Sequence, residues 1–179
     1  MLTVADFVAG ETALIAAVPE AEPVVGEWRS RFDPSVAYGV PAHVTILYPF
    51  LRADRIDAGM LADLRALFAA HAPFDVRFSG CGRFPEVLYL APDPGRPFAD
   101  LTEAVAARWP EAPPYGGRFD EVVPHLTVAD GVPVDVQDTI EAGLAAGLPV
   151  AAHVSSVSLH SYDGTIWRNV ACFPLGEPS

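Results

Sequence analysis

The sequence predicts an α+β protein with helices packed on largely antiparallel sheets. Three observations lead there. Strand-like and helix-like segments follow one another in an order, and with lengths, that suit this class. Two pairs of apolar runs are joined by tight turns, as in hairpins. One short pattern also occurs twice in strand-like settings. It reads Pro41-Ala42-His43-Val44-Thr45-Ile46-Leu47-Tyr48 and, about half the chain later, Pro124-His125-Leu126-Thr127-Val128-Ala129.

From the N-terminal end, Thr12 to Val18 is an apolar run closed by Pro19 and reads as a strand. Glu20 to Phe32 places Val24, Val25, Trp28 and Phe32 at helical spacing, an amphipathic helix. Asp33 to Val40 is a loop into the first His segment, and Pro49 ends regular pairing after it. Ile56 to Ala70 is a second helix, with Met60, Leu61, Leu64, Leu67 and Phe68 in one stripe. Phe74 to Cys81 and Val87 to Ala91 are strands about the turn Gly82-Arg83-Phe84-Pro85. Phe98 to Trp109 is a third helix, with Leu101, Val105 and Trp109 on one face and Pro110 closing it. The Pro/Gly-rich loop Glu111 to Asp120 leads into the second His segment. Val134 to Ala146 is a fourth helix, closed by Gly147. Val150 to His160 and Ile166 to Phe173 are the closing strands, about the turn Tyr162-Asp163-Gly164.

A chain of 179 residues suits one domain, residues 1–179, or two small lobes sharing a core. With 51% hydrophobic residues and a mean hydropathy of +0.26, a disordered chain is excluded. The net charge is −12, and the 11 basic residues are all Arg. Such a surface repels phosphate backbones at long range, which excludes broad nucleic-acid binding. A small anion, or the terminus of an RNA, can still enter a locally positive cleft. Cys81 and Cys172 read as buried free thiols rather than a disulfide framework. Asp6 and Glu11 stand where a signal peptide carries positive charge. No uncharged run approaches the roughly 18 residues of a membrane span. We therefore expect a soluble, cytoplasmic monomer with no membrane partner.

In a strand, side chains alternate between faces. His43 and Thr45 therefore share one face and Val44 and Ile46 the other. His125 and Thr127 stand opposite Leu126 and Val128 in the same way. Each copy buries an apolar row and presents an imidazole beside a hydroxyl. A weaker echo, Arg31-Phe32-Asp33 and Arg118-Phe119-Asp120, precedes the two copies, and together they suggest two related halves. Approximate two-fold symmetry would set the two His strands side by side.

Two His and two Thr suit chemistry at a phosphodiester. A neutral imidazole takes a proton from water while a protonated one gives a proton to the leaving oxygen. Imidazole does both because its ordinary pKa of about 6.5 lies near working pH. Thr hydroxyls donate to phosphate oxygens and stabilise developing charge. Neither motif has the helical His spacing or Cys pairs of common zinc sites. A metal-dependent hydrolase would need a third ligand such as Asp120. A non-catalytic binding module is the other alternative, and the intact His and Thr in both copies argue against it.

His43-Val44-Thr45-Ile46 and His125-Leu126-Thr127-Val128 resemble the paired His-x-Thr-x motifs of the 2H phosphoesterase superfamily. The likeness is greatest to bacterial 2′-5′ RNA ligase-like proteins. It covers motif order, motif spacing and most of the element order. The resemblance implies a bilobal fold of two pseudo-symmetric halves, with both motifs facing a central cleft. It also implies activity without a metal or other cofactor. The substrate would be a 2′,3′-cyclic phosphate or a 2′-5′ linkage of a nucleotide or RNA terminus. Some RNA-ligase-like members carry an Arg shortly after the second motif. Here that neighbourhood is Ala129-Asp130-Gly131, which weakens the expectation of RNA-end binding more than that of phosphodiester chemistry.

His43 and His125 are thus the expected base and acid, with the order of roles open, and Thr45 and Thr127 the expected phosphate contacts. Tyr48, Tyr115 and Phe84 either stack a base or belong to the core. Arg118 or Arg168 supplies positive charge, and Arg118 joins Tyr48 and Tyr115 as a candidate substrate contact. His153-Val154-Ser155 imitates the motif without its preceding Pro and reads as a decoy. His71 is placed at a helix C-terminus, where a cation is favoured, and His160 at a strand end.

Overall fold

The computed structural model describes residues 7–176. Its strands are β1 (Thr12–Ala17), β2 (His43–Leu47), β3 (Phe74–Phe84), β4 (Val87–Asp93), β5 (Leu126–Asp130), β6 (Val150–Val154), β7 (Ser156–Tyr162) and β8 (Trp167–Pro174). Its helices are α1 (Glu22–Phe32), α2 (Ala58–Ala69), α3 (Arg96–Arg108) and α4 (Val134–Leu144). The strands form two four-stranded sheets, ordered β2-β1-β7-β8 and β5-β4-β3-β6. Neighbouring strands in both run antiparallel. The protein is α+β and bilobal, one sheet to a lobe.

Alternation along the strands separates the faces. Leu14, Ala16, Val44, Ile46, Val157 and Leu159 turn into the shared core, as do Leu88, Leu90, Leu126 and Val128 of the second sheet. Ala13, Ile15, His43, Thr45 and His160 turn the other way. The helices are exchanged between lobes. α1 lies between β1 and β2 in sequence but packs on β5, while α3 lies between β4 and β5 but packs on β2. Each His strand is therefore backed by a helix from the opposite lobe. β2 and β5 are outer strands of their sheets, and they meet each other where the lobes join.

Each His strand also carries a bulge at the same place. Leu14 pairs with Leu47 and Ile15 with Thr45, which skips Ile46. Leu88 pairs with Ala129 and Tyr89 with Thr127, which skips Val128. In both motifs the fourth residue is the extra one, and bulges of this kind bend a strand and re-aim its side chains. The Ile46 carbonyl is met from α3, where the buried Thr102 hydroxyl donates to it at 2.6 Å.

Several boundaries differ from the sequence reading. The expected strand Val150 to His160 breaks at Ser155, and its two parts belong to different sheets. Ala152 and Val154 face the core from the second sheet, whereas Val157 and Leu159 do so from the first. Both parts thus read as one apolar run although the chain changes lobes between them. Val150–His160 and Ile166–Phe173 are accordingly not a simple hairpin; only β7 and β8 pair. The turn expected at residues 82–85 is also shorter. β3 continues to Phe84, which pairs with Val87 and leaves Pro85-Glu86 as the turn. β5 begins one residue after His125. Cys81 is half-buried, and Cys172, on β8 in the other sheet, is exposed rather than buried; both thiols are free. Among the described residues no helix is long and apolar enough to cross a membrane.

The Thr102 contact can be tested. Thr102→Val keeps the shape of the side chain but leaves the Ile46 carbonyl without this donor. An unmet buried acceptor costs about 1–3 kcal/mol. The expected result is a loss of that size in denaturant titration; an unchanged midpoint contradicts the role given to the hydroxyl.

Candidate active site where the two sheets meet

His43, Thr45, His125 and Thr127 line one open cleft of about 810 Å³. Their apolar partners lie behind it, with Val44, Leu126 and Val128 at 0% exposure and Ile46 at 1%. The two imidazoles are held identically. His43 Nδ1 lies 2.7 Å from the Pro41 carbonyl and His125 Nδ1 lies 2.8 Å from the Val123 carbonyl, each two residues back. A carbonyl oxygen only accepts, so both Nδ1 atoms carry the hydrogen and donate it. In each ring Nε2 is then left to a ligand. This fixes tautomer and ring orientation together.

Both imidazoles are driven toward the neutral form. Burial pushes His43 down to about 4, against the opposing pull of the Pro41 carbonyl, and the charges of Arg29 and His125 push the same way. Burial also lowers His125, again opposed by the carbonyl it bonds. The His125 ring stands edge-on to Phe84, with ring centres 5.1 Å apart, and against Tyr89 at 5.5 Å. Tyr89 lies across Gly82, where a Cβ would stand 2.4 Å from its ring. Gly82 thereby makes room for the aromatic pair that supports His125.

The entry to the first motif is fixed from beneath. Arg29 on α1 is 2% exposed and Asp33 7%. Arg29 Nε and Nη2 donate to Asp33 Oδ2 at 3.1 and 3.0 Å, and Nη2 also donates to the Val40 carbonyl at 3.1 Å. Asp33 Oδ1 accepts from the Ser35 amide and hydroxyl, at 3.0 and 2.7 Å. Glu22 Oε1 accepts from the Ala42 amide at 2.7 Å. The backbone on both sides of Pro41, the acceptor for His43, is therefore tied to α1.

The other expected contacts divide. Tyr115 lines the cleft; its hydroxyl hydrogen-bonds Thr45, and burial pushes it up to about 12, so it stays protonated. The Tyr115 amide donates to the Tyr48 carbonyl at 2.6 Å, which straps its loop to the end of β2. Tyr48 lines the cleft too; its hydroxyl donates to Glu11 at 2.9 Å, and its ring meets Trp167 edge-on. Arg118 is exposed and outside the residues that line the cleft, and Arg168 pairs with Asp163 at 2.7 Å. No arginine lines the cleft among the described residues. Asp33 and Asp130 do, and burial, with the Asp33 charge next, raises the Asp130 carboxyl. The expected locally positive gap is thus not what the lining shows.

His153 pairs with Asp75 at 2.7 Å on the exposed side of β6, and His71 lies beyond α2, so neither joins the cleft. His160 does. It lies within β7 opposite Ala13, rather than at a strand end, and burial lowers its pKa. Its place off the apolar row Val157 and Leu159 was a usable signal, but only once β7 is known to pair with β1. Trp167, whose buried indole N–H has no partner among the described residues, closes that end of the cleft. Asp120 does not line the cleft. Among the described residues no three His, Cys, Asp or Glu side chains group to hold a metal.

This arrangement, two lobes with a His–Thr strand from each at their junction, defines the class, and sequence comparison agrees. The family model of the 2′-5′ RNA ligase superfamily matches residues 17–166, and the chain belongs to that family, the 2H phosphoesterases it resembles. A search of curated protein sequences gave no match. Among solved structures, E. coli LigT complexed with 3′-AMP superposes with a TM-score of 0.61 at 15% identity, covering 94% of this chain and 99% of LigT. LigT complexed with ATP gives 0.60 at 16%, covering 95% and 100%. TT0787 of Thermus thermophilus gives 0.60 at 20%, covering 94% and 100%. At these identities the likeness is one of fold.

The buried ion pair yields a prediction. Asp33→Asn removes the buried counter-ion of Arg29 and leaves it only Glu22, 3.6 Å away and partly exposed. Breaking such a pair costs about 3–5 kcal/mol. The expected result is a loss of that size by denaturant titration, with less than the summed loss in Arg29→Met/Asp33→Leu. Strictly additive effects of the two changes speak against a coupled pair.

Proposed function

We propose that this protein is a metal-independent phosphoesterase for 2′,3′-cyclic phosphates or 2′-5′ phosphodiesters of nucleotides or RNA ends. The observation that carries this reading is the pair of imidazoles in one cleft, each with Nδ1 tied to a carbonyl and each beside a motif Thr. Family membership and the nucleotide complexes of the LigT fold support it. In ring opening, water attacks phosphorus and gives its proton to one Nε2. The bond to the departing ribose oxygen breaks, and that oxygen takes a proton from the other Nε2. Thr45 and Thr127 hydroxyls hold the non-bridging oxygens, where charge accumulates. His43, the imidazole with Arg29 behind it, serves as the base, and His125 as the acid. Tyr115 acts through Thr45 as a positioning residue. Tyr48 forms a wall. The setting is cytoplasmic.

Three variants test these roles. His43→Ala and His125→Ala each abolish hydrolysis of a 2′,3′-cyclic nucleotide while circular dichroism stays native. His153→Ala leaves turnover within a few-fold. A diester with a p-nitrophenolate leaving group, which needs no proton, restores activity to His125→Ala but not to His43→Ala. Rescue in the opposite sense reverses the assignment, and near-normal turnover by either Ala variant refutes the scheme.

The pH dependence has a definite sign. kcat/KM reports the free enzyme, in which one imidazole must be neutral and the other charged. Above both macroscopic pKa values the acid is lost, and below both the base is lost. Since both imidazoles are shifted down from 6.5, the bell should peak on the acid side of about pH 6.5. A flat profile, or a maximum above about pH 7.5, contradicts the His–His pair.

A further inference from the structure

On the far side of His125 the cleft continues into a second groove of about 1040 Å³, which shares Tyr115, His125 and Asp130 with it. Its walls include Phe84, Phe119 and Val123, and its rim carries Glu86 and Glu121. Phe119 is 50% exposed and Val123 42%, so bare apolar surface collects here. The groove has a second peculiarity. Glu86 (φ 60) and Tyr115 (φ 51) are the only non-glycine residues with positive φ among the described residues, and both line it. Backbone held in that region by L residues is strained, and such strain gathers at ligand-binding sites. Glu86 takes its value as the second residue of the Pro85-Glu86 turn, which leaves Tyr115 as the one the hairpin does not account for.

We infer that this groove is the nucleobase subsite for a substrate whose phosphate lies at the His pair. It takes a base with an exocyclic amine, on a substrate carrying a single phosphate. The inference rests on the phosphoesterase reading and adds which nucleotides are used. Phe84 meets His125 edge-on, so the aromatic surface begins at the ring that serves the phosphate. Phe119, edge-on to Tyr115 at 5.7 Å, offers a second face. Planar bases stack on such surfaces. The polar side chains at the rim are carboxylates, which only accept hydrogen bonds. They can take the amine of adenine or cytosine but oppose the carbonyl that uracil has at that position. The same charges repel any further phosphate, and no arginine lines either cavity to offset them. A mononucleoside cyclic phosphate satisfies both conditions; the end of an RNA, with a phosphate on its 5′ side, does not.

The test compares kcat/KM for the 2′,3′-cyclic phosphates of adenosine, uridine and base-free ribose, and for a dinucleotide ending in cyclic adenosine. In parallel, calorimetry compares 3′-AMP with ribose 3-phosphate. The expected order is adenosine above uridine and above the dinucleotide. Phe119→Ala should lower the adenosine-to-ribose ratio about tenfold, the scale of one stacking contact. Glu121→Gln should erode the adenosine-over-uridine preference, and Glu121→Lys should raise the dinucleotide relative to the mononucleotide. Unchanged ratios in Phe119→Ala and Glu121→Gln, or a dinucleotide preferred by the unaltered protein, overturn the subsite. If no cyclic phosphate turns over, yet 3′-AMP binds more tightly than ribose 3-phosphate and Phe119→Ala removes the difference, the subsite stands and the catalytic reading fails. If 3′-AMP shows no such advantage, the subsite fails whatever turns over.

Discussion

The contact between Arg29 and Asp33 underlies the rest of the site. A guanidinium at 2% exposure is costly to bury unless its charge and its donors are met. Here they are met by a carboxylate, by the Val40 carbonyl and, at 3.5 Å, by the Ser35 hydroxyl. Meeting them fixes where the chain must pass. Asp33 ends α1, Val40 lies just before Pro41, and Glu22 at the start of the same helix holds the Ala42 amide. The carbonyl that orients His43 is thus bracketed by two groups anchored to one helix. Because α1 packs on β5, the anchor of the first imidazole rests on the strand of the second motif.

That exchange of helices explains how two short edge strands come to share a cleft. An outer strand packed only within its own lobe could drift relative to the other lobe. Here β2 is backed by α3 and β5 by α1, so shifting either strand disturbs the opposite lobe. The matched bulges at Ile46 and Val128 turn both strands at the residue after the Thr. Symmetry is not complete. Phe84 and Tyr89 stand against His125, whereas the far end of the cleft is closed by Trp167 and carries a third imidazole, His160. The two halves present matching His–Thr pairs to the cleft but different walls beside them.

Much of this was legible from period alone. The faces of β2 and β5 follow from alternation, since a slip of one residue would bury the imidazoles and expose Val44 and Leu126. Three of the four helices follow from their stripes. What was not legible depended on partners distant in sequence. In residues 150–160 the only mark of the change of sheet is a one-residue slip of the apolar row, from Val150, Ala152 and Val154 to Val157 and Leu159, which a continuous strand reading passes over. His160 looks like a strand-end residue until β7 is paired with β1. Arg29 sits among the polar residues of an amphipathic helix, and only Asp33, Ser35 and Val40, brought together by the turn after α1, make its burial possible. Arg118 lies outside the cleft lining for a related reason. Its triplet echoes Arg31-Phe32-Asp33, but the first triplet ends a helix and the second lies in a loop, so their side chains do not occupy matching places.

That no arginine lines the cleft among the described residues bears on how a phosphate would be held there. In the proposed reaction the diester carries one negative charge, and one of the two imidazoles must be charged to act as the acid. On that proposal the imidazolium is the counter-charge as well as the proton donor. Beyond it, the Thr45 and Thr127 hydroxyls supply neutral hydrogen bonds, and Tyr115, kept protonated by burial, supports Thr45. The Asp33 charge is met by Arg29, whereas burial, and after it the Asp33 charge, raise the Asp130 carboxyl. Such a site balances a single phosphate charge with a single proton. In the proposed reaction the positive charge moves rather than disappears, because the base gains water's proton as the acid gives one to the leaving oxygen. The imidazolium charge leaves the cleft only when that second imidazole is deprotonated, a step a fixed guanidinium could not take, and release of a product monoester that carries more negative charge than the diester is coupled to it.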